Sequence, residues 1–88
     1  MLGTKNSQGN LTLAVAHNDD GRSELNIYNH NGKNAVTITS SSENSGGVVK
    51  VNNASGVING ALTSDGKDGA IFLSDRYGEL GWAQSGKK

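Results

Sequence analysis

The stretch GGVVKVNNASGVINGAL, residues 46–62, contains two short alternations of apolar and polar residues on either side of an Asn-Asn-Ala-Ser-Gly segment. Val49 and Val51 lead into this segment, and Ile58 and Leu62 follow it. Alternation with a period of two residues is typical of a β-strand that buries one face. The stretch therefore predicts two strands that are joined by a turn containing glycine.

The same pattern occurs four times along the chain, around glycines that are 23, 24 and 22 residues apart. These anchor glycines, where we expect turns, are Gly9, Gly32, Gly56 and Gly78. Asn, Asp or Ser stands shortly before three of them, and such residues favour turns in which glycine takes a positive φ. Self-similarity at a fixed period is the signature of repeat proteins. We therefore predict one repetitive domain, residues 1–88, with repeats at about 2–24, 25–48, 49–70 and 71–88.

Apolar residues fill most positions seven and five residues before each anchor and two, four and six residues after it. These predicted core and assembly residues are Leu2, Leu11, Leu13, Val15, Leu25, Ile27, Val36, Ile38, Val49, Val51, Ile58, Leu62, Ile71, Leu73, Leu80 and Trp82. Gly60 interrupts these columns, and three such gaps around a threefold axis would leave a narrowing, a cavity or bound solvent.

The chain is poor in core material, because only 33% of its residues are hydrophobic and it contains no cysteine. Small chains without disulfides or metals are commonly stabilised by oligomerisation. The narrow aliphatic columns thus predict an all-β homotrimer, a β-prism or triple β-helix in which three chains meet on one axis. The alternative is a single-chain β-solenoid, in which each repeat is a coil that stacks on the previous one.

The units SELNIYNHNGKNAVTIT (residues 23–39) and GVVKVNNASGVINGALT (residues 47–63) resemble the repetitive shaft and stalk regions of trimeric bacteriophage tail fibres and spikes. The resemblance covers nearly the whole chain. It implies a rigid, non-enzymatic, homotrimeric shaft or tip segment of a virion or cell-surface fibre, in which other domains bind receptors or carry out catalysis. The His-x-His metal clasp of some fibre tips is absent, because His17 and His30 are thirteen positions apart.

Composition argues against several other classes of function. The formal net charge is zero and the charges are scattered, so the basic stripe of a nucleic-acid-binding protein is missing. No apolar run approaches the roughly 20 residues that span a bilayer, and the first residues, MLGTKNSQGN, lack the apolar centre of a signal peptide. We therefore expect neither nucleic acid as a partner nor a membrane span. The resemblance to fibre shafts, in turn, implies a virion or an extracellular surface appendage as the location.

The polar residues do not form a recognisable catalytic or metal-binding motif. The carboxylates lie almost entirely in polar loops, where nothing would raise a pKa for general acid catalysis. The loops HNDDGRSEL (residues 17–25) and SDGKDGAIFL (residues 64–73) are rich in oxygen ligands but match no complete calcium motif, and tight turns explain the same residues. We predict no catalytic residue, no metal and no cofactor.

Aromatic side chains offer the alternative of a carbohydrate- or receptor-binding module, with a host glycan or receptor as partner. The aromatic residues are Tyr28, Phe72, Tyr77 and Trp82. Tyr28 and Phe72 alternate with the aliphatic columns and are expected outside the core. Trp82 occupies a core column, where it would close the end of the prism, so we favour the structural role.

Overall fold

A computed structural model describes residues 2–86, with Leu2 described by its backbone alone. Residues 1, 87 and 88 of the predicted domain, and the predicted core role of the Leu2 side chain, lie outside the described residues. The eight strands are β1 (Leu2–Lys5), β2 (Leu11–His17), β3 (Ser23–Tyr28), β4 (Asn34–Ser40), β5 (Gly47–Asn52), β6 (Ile58–Ser64), β7 (Gly69–Ser74) and β8 (Leu80–Ser85). Residues 2–86 include no helix that is long and apolar enough to cross a membrane.

All eight strands form one open antiparallel sheet in the order β1-β2-β3-β4-β5-β6-β7-β8. Each strand pairs only with its neighbours in sequence. Because all regular elements of the described residues are strands, the predicted all-β class is confirmed. In the coils of a solenoid, equivalent strands of successive repeats stack directly on one another. In this single chain an intervening strand separates them, and the strands form one open sheet. The chain measures 48 × 31 × 15 Å along its principal axes, and the smallest dimension reflects a single layer of strands.

The turn within each repeat has one structure, which the third turn illustrates. Gly56 has a φ of 88°, and its N–H donates to the carbonyl oxygen of Asn53 at 3.0 Å. The side-chain Oδ1 of Asn53 accepts hydrogen bonds from the N–H groups of Ser55 and Val57, at 2.9 and 3.1 Å. Asparagine thus fixes the turn through two backbone groups, and glycine supplies the positive φ that other residues rarely adopt.

The other three turns within repeats have the same hydrogen bonds. Their capping residues are Asn6, Asn29 and Asp75. Side-chain amides also connect successive turns along this edge of the sheet, since Asn29 Nδ2 donates to the carbonyl oxygen of Ala54 at 3.3 Å and Asn53 Nδ2 donates to that of Arg76 at 3.4 Å. The turns therefore form a continuous row along one edge of the sheet.

A β-bulge follows each of these turns, at the third residue after the anchor glycine. The unpaired residues are Thr12, Ala35, Asn59 and Gly81. A bulge inserts one residue into one strand and so changes which face the residues beyond it occupy. The strict alternation expected from the sequence therefore breaks at the same offset in all four repeats.

This bulge corrects the predicted columns at the second residue after each anchor. Leu11 pairs with Lys5, Ile58 with Asn52, and Leu80 with Ser74. These partners lie on the opposite face from the other columns, and directly paired residues share a face. A Cβ on Gly3, a residue of that opposite face, would lie 3.1 Å from Leu11 Cδ1. Leu11, Ile58 and Leu80 consequently do not extend the main apolar columns.

Replacing the capping residue tests the turn. We expect Asn53→Ala to lower the free energy of unfolding by about 1–2 kcal/mol, because two backbone N–H groups lose their acceptor. Asn53→Asp keeps the acceptor oxygen, as Asp75 does in the fourth turn, and should cost clearly less. Urea denaturation of the two variants measures the difference. Equal losses for Ala and Asp would show that the side-chain oxygen does not stabilise the turn.

Candidate functional site: the apolar sheet face

Two straight rows of side-chain positions cross all eight strands on one face of the sheet. We call them the Leu62 row and the Gly60 row, after their members on β6. The Leu62 row contains Leu2, Val15, Leu25, Ile38, Val49, Leu62, Ile71 and Gln84. The Gly60 row contains Thr4, Leu13, Ile27, Val36, Val51, Gly60, Leu73 and Trp82. Together they define the apolar face, whose few non-aliphatic members stand mainly on the edge strands β1 and β8.

The apolar face is open to solvent in the single chain. The exposed fractions of its side chains reach 50% for Val51, 53% for Leu73 and 59% for Leu62. Trp82, at the end of the Gly60 row, is 50% exposed. Contiguous apolar surface of this kind is rare on monomeric proteins and marks a site of interaction.

The opposite face of the sheet carries mainly small and polar side chains, and we call it the polar face. It also bears larger apolar or aromatic residues, including Leu11, Tyr28, Ile58, Phe72 and Leu80. Its buried residues are Ala14, Thr37 and Ala61, which are at most 7% exposed. Thr37 donates from Oγ1 to Asn26 Oδ1 at 2.8 Å, and Asn34 Nδ2 donates to the same oxygen at 2.7 Å. Polar side chains in the middle of this face thus bond to one another, whereas Ile58 and Leu80, near the repeated turns, remain exposed.

Asn52 extends this polar cluster from β5. Its Nδ2 donates to the carbonyl oxygen of Asn34 at 2.9 Å and lies 3.1 Å from Asn34 Oδ1. Its own Oδ1 is buried without a hydrogen-bond partner among the described residues. The cluster connects β3, β4 and β5 on the face that the sequence predicts to be wet.

A depression of about 310 Å³ lies on the apolar face above Gly60. Val49, Val51, Ile71 and Leu73 are among the residues that line it. A Cβ on Gly60 would lie 3.1 Å from the carbonyl oxygen of Phe72 and 3.2 Å from Leu73 Cδ2, so a side chain fits poorly there. Gly60, where the sequence marks a missing side chain, thus lies at the floor of the depression, with Leu73 and the Phe72 carbonyl close beside it.

The aromatic residues are divided between the two faces. Phe72 pairs with Ala61 and Ala83 on the polar face, and Tyr28 pairs with Asn34 on the same face. Tyr77 lies in the fourth turn and is 78% exposed. Trp82 pairs with Leu73 and continues the Gly60 row. The four aromatic side chains do not assemble into one stacking platform.

The contact between the side chains of His17 and Ser23 was not foreseen from the sequence. His17 Nδ1 and Ser23 Oγ are 3.0 Å apart, because the loop between β2 and β3 pairs these two residues across the strands. Both residues are exposed, and no carboxylate bonds the ring of His17 in the part of the chain that the structure describes. Nor do residues 2–86 bring together three His, Asp or Glu side chains that could hold a metal ion.

Comparison with known proteins identifies no family. The sequence matches no protein-family model, and no curated protein shows significant similarity to it.

Two loop carboxylates, at the edge opposite the repeated turns, have lowered pKa values. The Arg22 side chain, whose Nε donates to Asp20 Oδ2 at 2.7 Å, holds the pKa of Asp20 below its usual 3.8. Backbone N–H groups of Asp68 and Lys67 lower the pKa of Asp65 in the same way. A lowered folded pKa contributes stability above pH 3.8 that is lost as the pH falls through the folded value.

Removing the guanidinium tests the cause of these shifts. We expect Arg22→Ala to raise the pKa of Asp20 towards 3.8, because the side-chain hydrogen bond from Arg22 is the largest cause of the lowered value. The pKa of Asp65 should stay lowered, since backbone donors cause that shift. Carboxyl ¹³C chemical shifts followed against pH report both groups in one sample. An unchanged pKa at Asp20 would assign its shift to the backbone of the loop.

Proposed function

We propose that this chain is a structural, non-enzymatic segment of a rigid homotrimeric fibre, a shaft or tip region of a virion or cell-surface appendage. The observation that carries the proposal is the open apolar face of a one-layer sheet. Polar side chains in the middle of the polar face bond to one another, whereas the two continuous aliphatic rows of the apolar face have nothing to cover them in a single chain. Burial of that face against further copies of the chain would remove this exposed surface from water.

The sheet is large enough to bear a stable protein interface. The chain measures 48 by 31 Å in its two longest dimensions, a projected area of about 1,500 Å² of which the two apolar rows cover a part, and a standard interface buries about 800 Å² on each partner. The rows consist mainly of Val, Ile and Leu, and they carry no charged residue. Copies of the same chain offer a matching surface, because each presents the same flat, uncharged rows.

Three such sheets can enclose a slender triangular core. The apolar face is only two rows wide on most of its strands, which gives three inclined sheets enough side chains to fill the space around one axis. The axis would run along the rows, perpendicular to the strands. With neighbouring strands about 4.8 Å apart, the seven steps between the eight strands make each wall about 34 Å long. Closed cyclic symmetry is the usual arrangement of identical chains.

The orientation of the backbone hydrogen bonds accounts for the proposed rigidity. In an antiparallel sheet these bonds lie perpendicular to the strands, so here they would run along the axis of the fibre. Seven strand pairs follow one another along that direction. Stretching or bending the fibre would have to strain or break this ladder, which gives the chain a mechanical role.

The mass of the native protein tests the assembly. We expect light scattering coupled to native chromatography to give about three times the chain mass of 9.1 kDa. A mass of two chains would replace the prism with a two-sheet sandwich built on the same face. A folded monomer that persists at high protein concentration would contradict the proposed function.

A matched pair of substitutions tests which face assembles. We expect Val51→Asp to abolish assembly, because the carboxylate would be buried without a partner, while the isolated sheet tolerates it at a half-exposed position. Lys50→Asp, one residue away on the polar face, should leave the assembled mass unchanged. Light scattering gives the mass of each variant, and circular dichroism verifies the strand content. Equal effects of the two substitutions would reject the assignment of the faces.

A further inference from the structure

We propose that Leu62 of one copy inserts into the hollow above Gly60 of the next copy, and that this contact sets the relative position of the chains in the assembly. The inference rests on the proposed self-association through the apolar face. It specifies which residue of the neighbouring copy fills the hollow, and it specifies that the rows of neighbouring copies run in the same direction.

Leu62 is the most exposed of the described aliphatic side chains on the apolar face, with an exposed fraction of 59%. It also borders the hollow above Gly60 and two further depressions, one beside Ile38 and one beside Gln84. A side chain with depressions on several sides is a ridge, and packing another sheet on this face requires a matching hollow for it.

The hollow that matches Leu62 lies on the same strand. Gly60 and Leu62 are two residues apart on β6, so they lie about 7 Å apart along the strand and at the same height along the rows. Rotation about an axis parallel to the rows keeps every residue at its own height. Neighbouring copies related in this way bring the Leu62 row of one beside the Gly60 row of the next, with the leucine level with the hollow.

The opposite orientation pairs different residues. If the rows of two copies ran in opposite directions, Gly60, sixth of eight in its row, would face Ile27, third in the same row. The hollow would then receive Ile27, and Leu62 would face Leu25. The two arrangements therefore differ in which residue of the partner approaches Gly60, and a distance measurement between copies separates them.

Disulfide trapping tests the contact, because the chain contains no cysteine of its own. Gly60→Cys and Leu62→Cys are made in separate chains that carry tags of different lengths, so that a mixed dimer can be told from dimers of one variant. The two chains are then refolded together and oxidised. Since a disulfide needs Cβ atoms about 3.5–4.5 Å apart, we expect a covalent mixed dimer on a non-reducing gel. The control mixes Gly60→Cys with Ile27→Cys chains, and this pair should remain uncrosslinked.

A second measurement uses smaller changes. Gly60→Ala adds a Cβ that fills part of the hollow and lies close to the Phe72 carbonyl oxygen and Leu73 Cδ2 of its own chain, so circular dichroism must first show that the sheet is retained. We expect this substitution to raise the concentration of half-assembly about tenfold with Leu62 present. When Gly60→Ala chains are mixed with Leu62→Ala chains, assemblies containing both should form at a lower concentration than Gly60→Ala alone, because the filled hollow can then face a shortened side chain.

The outcomes separate the inference from the proposed function. A cross-link between positions 60 and 27, none between 60 and 62, or no benefit from mixing the alanine variants would overturn the Leu62 contact while leaving an assembled protein. A wild-type mass of one chain would instead remove the proposed function itself. Circular dichroism of each variant shows whether the sheet is retained. Because the cysteine and alanine variants are independent, a folding defect in one set leaves the other set to test the contact.

Discussion

The repeated turn sets the register on which the rest of the structure depends. A side-chain oxygen of Asn or Asp holds two backbone N–H groups, and a glycine with positive φ closes the turn three residues later. A bulge follows each of these turns at the same offset. Because all four repeats have this geometry, their side chains align across eight strands into straight rows. A shift of one residue in any hairpin would move its aliphatic side chains to the other face and break both rows.

Straight rows produce a sheet whose two faces have different requirements. On the polar face, Thr37 and the neighbouring asparagines bond to one another, and small residues such as Ala14 and Ala61 are buried simply by their neighbours. On the apolar face, Val51, Leu62 and Leu73 remain at least half exposed. The chain therefore folds locally through hydrogen bonds and turns, while most of its aliphatic side chains lack a core of their own. Self-association is the physical remedy that the proposed function supplies.

The sequence predicted the strands, the turns and most residues of the apolar face, because period-two alternation and Asx-Gly turns are local signals. It did not predict the bulge, which moves Leu11, Ile58 and Leu80 off the main columns. One signal was present, since Asn34 breaks the same column of aliphatic residues and lies in the polar cluster. The contact between His17 and Ser23 also escaped, because it depends on the length of a loop between two strands. The hollow at Gly60 was foreseen as a gap, but identifying its exposed neighbour Leu62 requires side-chain exposures that only the structure gives.

Pairing between sequence neighbours alone has a consequence for how the chain reaches this structure. Every long contact in the sheet is made by a hairpin or by two adjacent hairpins, so no strand must wait for a distant part of the chain. Proteins with local pairing fold faster than those with long-range pairing, and synthesis from the N-terminus can add one hairpin at a time to a growing edge. The strand pairs from β1 to β6 contain no residue of β7 or β8. Folding of the single chain thus needs only local contacts, and the proposed association of chains would be a separate event that depends on concentration.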